Sequence, residues 1–189
     1  MNVPTRTLVL SAVFALALPA VPAAARELAG VSMPETTTVA GKTLKLNGMG
    51  LRKKAVFKVY VGGLYLEQPS SDAAAILAAD APKAVRMHFL RSVGRDTLVE
   101  TYREGFAANA GAKAAAQKAG IEKLLATVAD VNDGSVTTYA YVPGTGTVVS
   151  RDGKDVATIE GKELAEVVFS LWLGPKPPSE DLRKGLLGR

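Results

Sequence analysis

The sequence predicts an α+β fold in which an antiparallel β-sheet is covered on one face by a layer of α-helices. The first observation is the order of segments: strand-like pairs, two helical segments, a strand meander and a further helix, an order typical of such folds. The second is residues 56–67, which are apolar at both odd and even positions. A strand with this pattern is expected to be covered on both sides.

The first half of the chain predicts strands, with one short helix. A strand, the turn Ala40-Gly41 and a second strand at 43–46 come first, and Gly48 and Gly50 are interpreted as tight turns. Strict alternation over residues 56–67 places the odd-numbered side chains on one face of the strand and the even-numbered ones on the other. Phe57, Val59, Val61, Gly63 and Tyr65 share one face, whereas Val56, Lys58, Tyr60, Gly62, Leu64 and Leu66 share the other. A helix at 73–79 and a strand at 85–90 follow.

The second half predicts helices and then a meander. A helix from Thr97 has Leu98, Tyr102 and Phe106 at i, i+4 and i+8. Gly111 interrupts it, and a second helix is expected from about residue 113. Strands at 135–142, 147–150 and 156–159 form the meander, a helix begins near residue 161, and a short helix at 179–187 ends the chain.

The first 25 residues are typical of a cleavable secretory signal. Arg6 precedes an apolar run at 8–18, which Pro19 and Pro22 limit, and alanines at 23–25 form the exit. The run is too short for a stable membrane span. We expect cleavage after Ala25, one domain at 26–189, and a periplasmic location.

The composition gives no support for a metal site, a local Ser–His catalytic pair or a nucleic-acid interface. The 189 residues contain no cysteine and one histidine, His88, so we expect no metal site and no cofactor. Ser92 is about 13 Å from His88 in an extended chain, too far for a local catalytic pair. The formal charge is +5, and its one basic run, 52–54, indicates a solvated turn rather than a nucleic-acid interface.

Arg52 and Tyr60 are the candidate ligand-binding residues. A guanidinium can hold a carboxylate with two donors, and a phenol can add a third. If both point into a cleft between sheet and helices, they form a polar end to an apolar space. The alternative is that Arg52 is a solvated turn residue and Tyr60 a core aromatic.

Two stretches carry a resemblance to a known family. Residues 48–67 (GMGLRKKAVFKVYVGGLYLE) contain the pattern Gly-x-Gly-x-Arg followed by Lys-Val-Tyr-x-x-Gly-Leu-Tyr-Leu. Near the C-terminus come Ile159-Glu160-Gly161, Leu171-Trp172-Leu173-Gly174, Pro177-Pro178 and Leu186-Leu187-Gly188. Both stretches, in this order and separation, resemble bacterial chalcone isomerase-like proteins over residues 30–188.

The resemblance implies an open-faced sandwich with a ligand cleft between the sheet and the helices. Arg52 matches an arginine shared by the family's isomerases and its fatty-acid binders. Tyr60 matches the tyrosine of the fatty-acid binders, where isomerases have a threonine. The isomerases also have a tyrosine and an asparagine near the start of the first long helix. Here residues 94–100 contain none, and Tyr102 comes a turn or more later.

Three hypotheses follow from these residues. The first is a binding protein for a small amphipathic acid, such as a fatty acid, whose chain lies against Val59, Val61, Leu64 and Phe106. The second is an isomerase in which Arg52 polarises a carbonyl and stabilises an enolate. The third is an interaction protein without a ligand, whose cleft is filled by its own side chains.

Overall fold

A computed structural model describes residues 24–189 of the chain. The predicted signal lies outside the described residues except for Ala24 and Ala25. No helix in the described part is long and apolar enough to cross a membrane.

Seven antiparallel strands form the main sheet, and two more form a separate hairpin. The order in the main sheet is β3-β4-β5-β6-β7-β8-β9, so each strand pairs with its neighbour in sequence. The hairpin is β1 (Ala25–Leu28) with β2 (Val31–Pro34). The sheet strands are β3 (Thr36–Val39), β4 (Lys42–Lys54), β5 (Phe57–Leu66), β6 (Lys83–Phe89), β7 (Val136–Val142), β8 (Gly146–Arg151) and β9 (Lys154–Ile159).

Five helices are found in the described part of the chain: α1 (Ala73–Ala78), α2 (Arg95–Ala116), α3 (Lys118–Ala126), α4 (Lys162–Leu173) and α5 (Glu180–Leu186). The predicted interruption at Gly111 is confirmed, because this residue has φ 47° and ψ −117° within α2. A second helical segment follows the kink directly, as predicted, and is counted here within α2. A further break at Gln117, which was not predicted, separates α3 from it.

The sheet has a buried cluster on each face, which confirms that β5 is covered on both sides. The larger cluster joins one face to the helices and includes Leu64, Phe89, Phe106 and Trp172. The smaller cluster lies beneath the β1–β2 hairpin and includes Met33, Val61 and Tyr65. The predicted α+β fold, with helices on one face, is confirmed. The hairpin on the opposite face was not predicted from the sequence.

The interpretation of Gly48 and Gly50 as tight turns is wrong, because both lie within β4. A Cβ at Gly48 would overlap the carbonyl oxygen of Gly185, and one at Gly50 would overlap that of Leu182. The two glycines therefore allow the backbone of α5 to rest directly on β4.

Candidate ligand site

A cavity of about 590 Å³ lies between the sheet and helices α2 and α4. Its volume is within the range of roughly 300–1,000 Å³ that is usual for small-molecule sites. The strand residues come from the end of β4, the start of β5 and the end of β6. Leu98, Tyr102, Leu171 and Trp172 line it from the helices.

Arg52 lies on β4 directly opposite Tyr60 of β5, and both line the cavity. Cross-strand partners have side chains on the same face of a sheet, so the register brings the two candidate residues together. Arg52 is half-buried, and its Nη1 donates to the carbonyl oxygen of Pro178 at 3.1 Å. Within residues 24–189 this is the one hydrogen bond that its side chain makes. The remaining guanidinium donors are available to a ligand.

A β-bulge shapes the wall next to Arg52. The pairing passes from Arg52 with Tyr60 to Lys53 with Lys58, so Val59 is an extra residue in β5. The predicted alternation is therefore wrong at this point: Val59 and Tyr60 both line the cavity, together with Phe57.

Tyr60 is buried, and its hydroxyl oxygen accepts a hydrogen bond from Nε1 of Trp172 at 3.1 Å. Because the indole can only donate, the phenol keeps its own proton for another acceptor. Burial raises the pKa of Tyr60 to about 12, although the nearby Arg52 charge opposes this shift. At neutral pH Tyr60 is thus a hydrogen-bond donor and not a phenolate.

Tyr102 is a second buried phenol in the cavity wall, although its position in the sequence is a turn or more beyond the one expected for the isomerase tyrosine. It lies on the same face of α2 as Leu98 and Phe106. The hydroxyl of Tyr139 donates a hydrogen bond to the hydroxyl oxygen of Tyr102 at 3.3 Å. Burial, followed by the neighbouring Tyr139, raises the pKa of Tyr102 well above its ordinary value. The i, i+4, i+8 spacing was the signal that could have found it, because Leu98 shares the same wall.

The charges around the cavity favour an anion. Arg52, Lys54, Arg91 and Lys176 are among the lining residues, whereas Glu104 is the one carboxylate among them in the described chain. Cations at the wall of a partly closed, low-dielectric space attract negative ligands more strongly than they would in water.

The apolar part of the wall differs from the one predicted. Val59 does line the cavity, but Val61 packs in the cluster beneath the β1–β2 hairpin. Leu64 and Phe106 are buried in the helix-side core and do not line the cavity. The apolar lining is instead formed by Phe57, Val59, Met87, Phe89, Leu98 and Leu171.

Other reactive residues form no catalytic group in the described part of the chain. Ser92 lines the cavity and donates to Oδ1 of Asn132 at 3.1 Å. His88 lies on β6, half-exposed, between Val61 and Val136 of the neighbouring strands. Residues 24–189 contain no group of three or more potential metal ligands.

Comparisons with known proteins give one family and one fold. The model of the chalcone isomerase-like family matches residues 25–188. The fold is similar to that of a fatty-acid binding protein of Arabidopsis thaliana, with a TM-score of 0.67 and 17% sequence identity, over 87% of this chain and 96% of that one. No curated protein matches the sequence significantly.

Proposed function

We propose a function for this chain on the basis of its family, since it belongs to the chalcone isomerase-like proteins. Its cavity binds a small amphipathic carboxylate, such as a fatty acid, and the protein catalyses no reaction. The observation that carries the proposal is Arg52, a half-buried cation with unused donors, opposite a protonated phenol in an apolar cavity. The similar fold of a plant fatty-acid binding protein supports the same ligand class.

The carboxylate would be held at the polar end of the cavity. The guanidinium of Arg52 can donate two hydrogen bonds to it, and a charge-assisted pair of this kind is stronger than neutral hydrogen bonds. Tyr60 can add a third bond, since its oxygen is already bonded to Trp172 and its proton is free. The acyl chain would then lie against Val59, Phe89 and Leu171, where the hydrophobic effect favours it.

The test is ligand identification and titration with a matched pair of variants. Native mass spectrometry of the purified protein identifies any bound acid, and a fluorescent fatty acid measures its affinity. Arg52→Gln should weaken binding roughly 10- to 100-fold, because a hydrogen bond to a charged group is lost. Arg86→Gln is the control, because Arg86 lies on β6 next to Met87 but is absent from the cavity wall. Equal affinity in both variants would refute the proposal.

An isomerase is the second candidate, and Tyr102 is the observation that favours it. The cavity contains a cation and two phenols, which could stabilise an enolate oxygen. Both phenols have raised pKa values, so neither can act as a base at neutral pH. Mixing a chalcone with the purified protein and following its absorbance decides the matter. A rate above the spontaneous one that disappears in Arg52→Gln would replace the binding proposal with this one.

The third hypothesis required a filled cleft, and the cavity beside Arg52 removes that premise. We also propose that the protein acts in the periplasm after cleavage behind Ala25. The mass of the mature protein recovered from that compartment tests this directly. A mass that includes residues 1–25, or recovery from the cytoplasm alone, would contradict it.

A further inference from the structure

The tip of the β4–β5 hairpin, residues 53–58, exposes apolar side chains to solvent. Val56 is 85% exposed and Phe57 is 56% exposed. Elsewhere in residues 24–189 the one other large hydrophobic residue with such exposure is Val156, at 43%. The tip is a two-residue turn between β4 and β5, so both exposed side chains lie at the end of the hairpin.

The same tip concentrates positive charge. Lys53 and Lys58 are direct cross-strand partners, and like charges in this position destabilise a sheet. Lys54 is exposed next to them, and the guanidinium of Arg91 lies 4.6 Å from the centre of the Phe57 ring. Within residues 24–189 none of these four cations forms an ion pair with a carboxylate. An external anion would relieve their mutual repulsion.

We propose that this tip docks on the surface of an anionic phospholipid bilayer. Basic residues beside exposed apolar side chains are the combination that binds such surfaces, because the lipid headgroups attract the charge and the acyl boundary takes the apolar groups. An exposed hairpin tip can enter a bilayer without a preformed pocket in its partner. Because Lys54 and Phe57 also line the cavity, docking brings the cavity mouth to the membrane. The proposal goes beyond ligand binding and is measured without a ligand.

The experiment is co-sedimentation of the purified protein with two kinds of vesicle. One contains phosphatidylcholine alone and the other equal parts of phosphatidylcholine and phosphatidylglycerol. Lys53→Gln/Lys58→Gln should lower the partition coefficient for the anionic vesicles on the order of 30-fold. Val56→Ser should lower it about tenfold. None of these three residues lines the cavity, so affinity for a soluble fluorescent fatty acid serves as a separate readout.

Matched controls are available on other surfaces. Lys118→Gln/Lys123→Gln removes the same charge from α3, and Val156→Ser removes an exposed valine from β9. We expect both to bind vesicles like the unchanged protein, and added salt to weaken binding by screening the charges. Equal loss in the control variants, or equal binding to both kinds of vesicle, would overturn the proposal. Binding to soluble polyglutamate but not to vesicles would overturn it in favour of an acidic protein partner.

Discussion

The β4–β5 ribbon has two ends on its helix-covered face, one sealed and one open. At the sealed end, Gly48 and Gly50 leave no room for a Cβ beneath α5, so helix and strand are in backbone contact. At the open end, the large side chains of Arg52 on β4 and Tyr60 on β5 take the place of glycines. Here a cavity separates the strands from α2 and α4. Side-chain size along one strand thus determines where a helix can approach and where space remains.

The cations near the two ends also differ, in how many of their hydrogen-bond donors are used within the protein. Lys83, at the sealed end, is buried beneath α1 and donates to the carbonyl oxygens of Ile76, Leu77 and Ala79 at 2.5, 3.3 and 2.8 Å. All three ammonium donors are therefore used, and they cap the C-terminal end of the helix. Arg52 uses one donor. A buried cation whose donors are all used is structural, whereas one with donors left over favours a ligand.

The strongest way to break the sealed end is Gly50→Val. The new side chain would overlap the backbone of Leu182, which cannot move without displacing α5. We expect the free energy of unfolding to fall by about 3 kcal/mol or more, as measured by urea denaturation. Gly94→Ala is the control, because its Cβ would meet no atom closer than 3.9 Å. It should cost at most about 1 kcal/mol, and an equal loss in both variants would contradict the packing argument.

Replacement of Lys83 should have the next largest effect. Lys83→Met keeps the apolar stem but leaves carbonyl oxygens of α1 without their donor. The free energy of unfolding should fall by about 1–3 kcal/mol. Lys42→Met, at an exposed position on β4, should be close to neutral. Equal stability of the two variants would show that the capping bonds contribute nothing.

Lys83 also predicts a dependence of stability on pH. Burial lowers its pKa from 10.5 to about 8 in the folded protein. Above that pH the folded chain loses this proton while the unfolded chain still holds it, so the free energy of unfolding should rise between pH 8 and 10. The rise should end near pH 10. Above that pH the unfolded chain begins to lose tyrosine protons that Tyr60 and Tyr139 keep in the folded protein, because burial raises both pKa values to about 12. This difference lowers the free energy of unfolding as the pH increases. A Lys83→Met variant should lose the rise, and an unchanged slope would contradict the assignment.

At the open end the smallest effect is expected from Tyr60→Phe. This change removes one neutral hydrogen bond to a bound carboxylate, so affinity for a fluorescent fatty acid should fall about three- to tenfold. The variant also leaves Nε1 of Trp172 without its acceptor, which should cost roughly 1 kcal/mol of stability. Tyr141→Phe, at a phenol bonded to Asp80 outside the cavity, should leave affinity unchanged. If Tyr60→Phe binds as tightly as this control, the phenol makes no contact with the ligand.

Local patterns were enough to predict most elements. Alternation along β5 and the stripe of Leu98, Tyr102 and Phe106 on α2 follow from periods of two and 3.6 residues. The errors arose where a distant segment changed the local rule. Gly48 and Gly50 were assigned to turns because glycine is common there, yet α5, far away in sequence, is what requires them. The bulge at Val59 has no local signature, and it placed Val59 rather than Val61 on the cavity wall.

By itself the sequence determined the fold class, the covered strand β5, the pairing of neighbouring segments, and Arg52 and Tyr60 as the residues to follow. These properties depend on side-chain periodicity and on short-range backbone preferences, which a chain carries within a few residues. The tertiary structure alone decided that the register sets Arg52 opposite Tyr60, that Trp172 occupies the phenol oxygen, and that Tyr102 completes the wall. The bond between Tyr60 and Trp172 joins residues 112 positions apart, and only packing determines which distant residues meet.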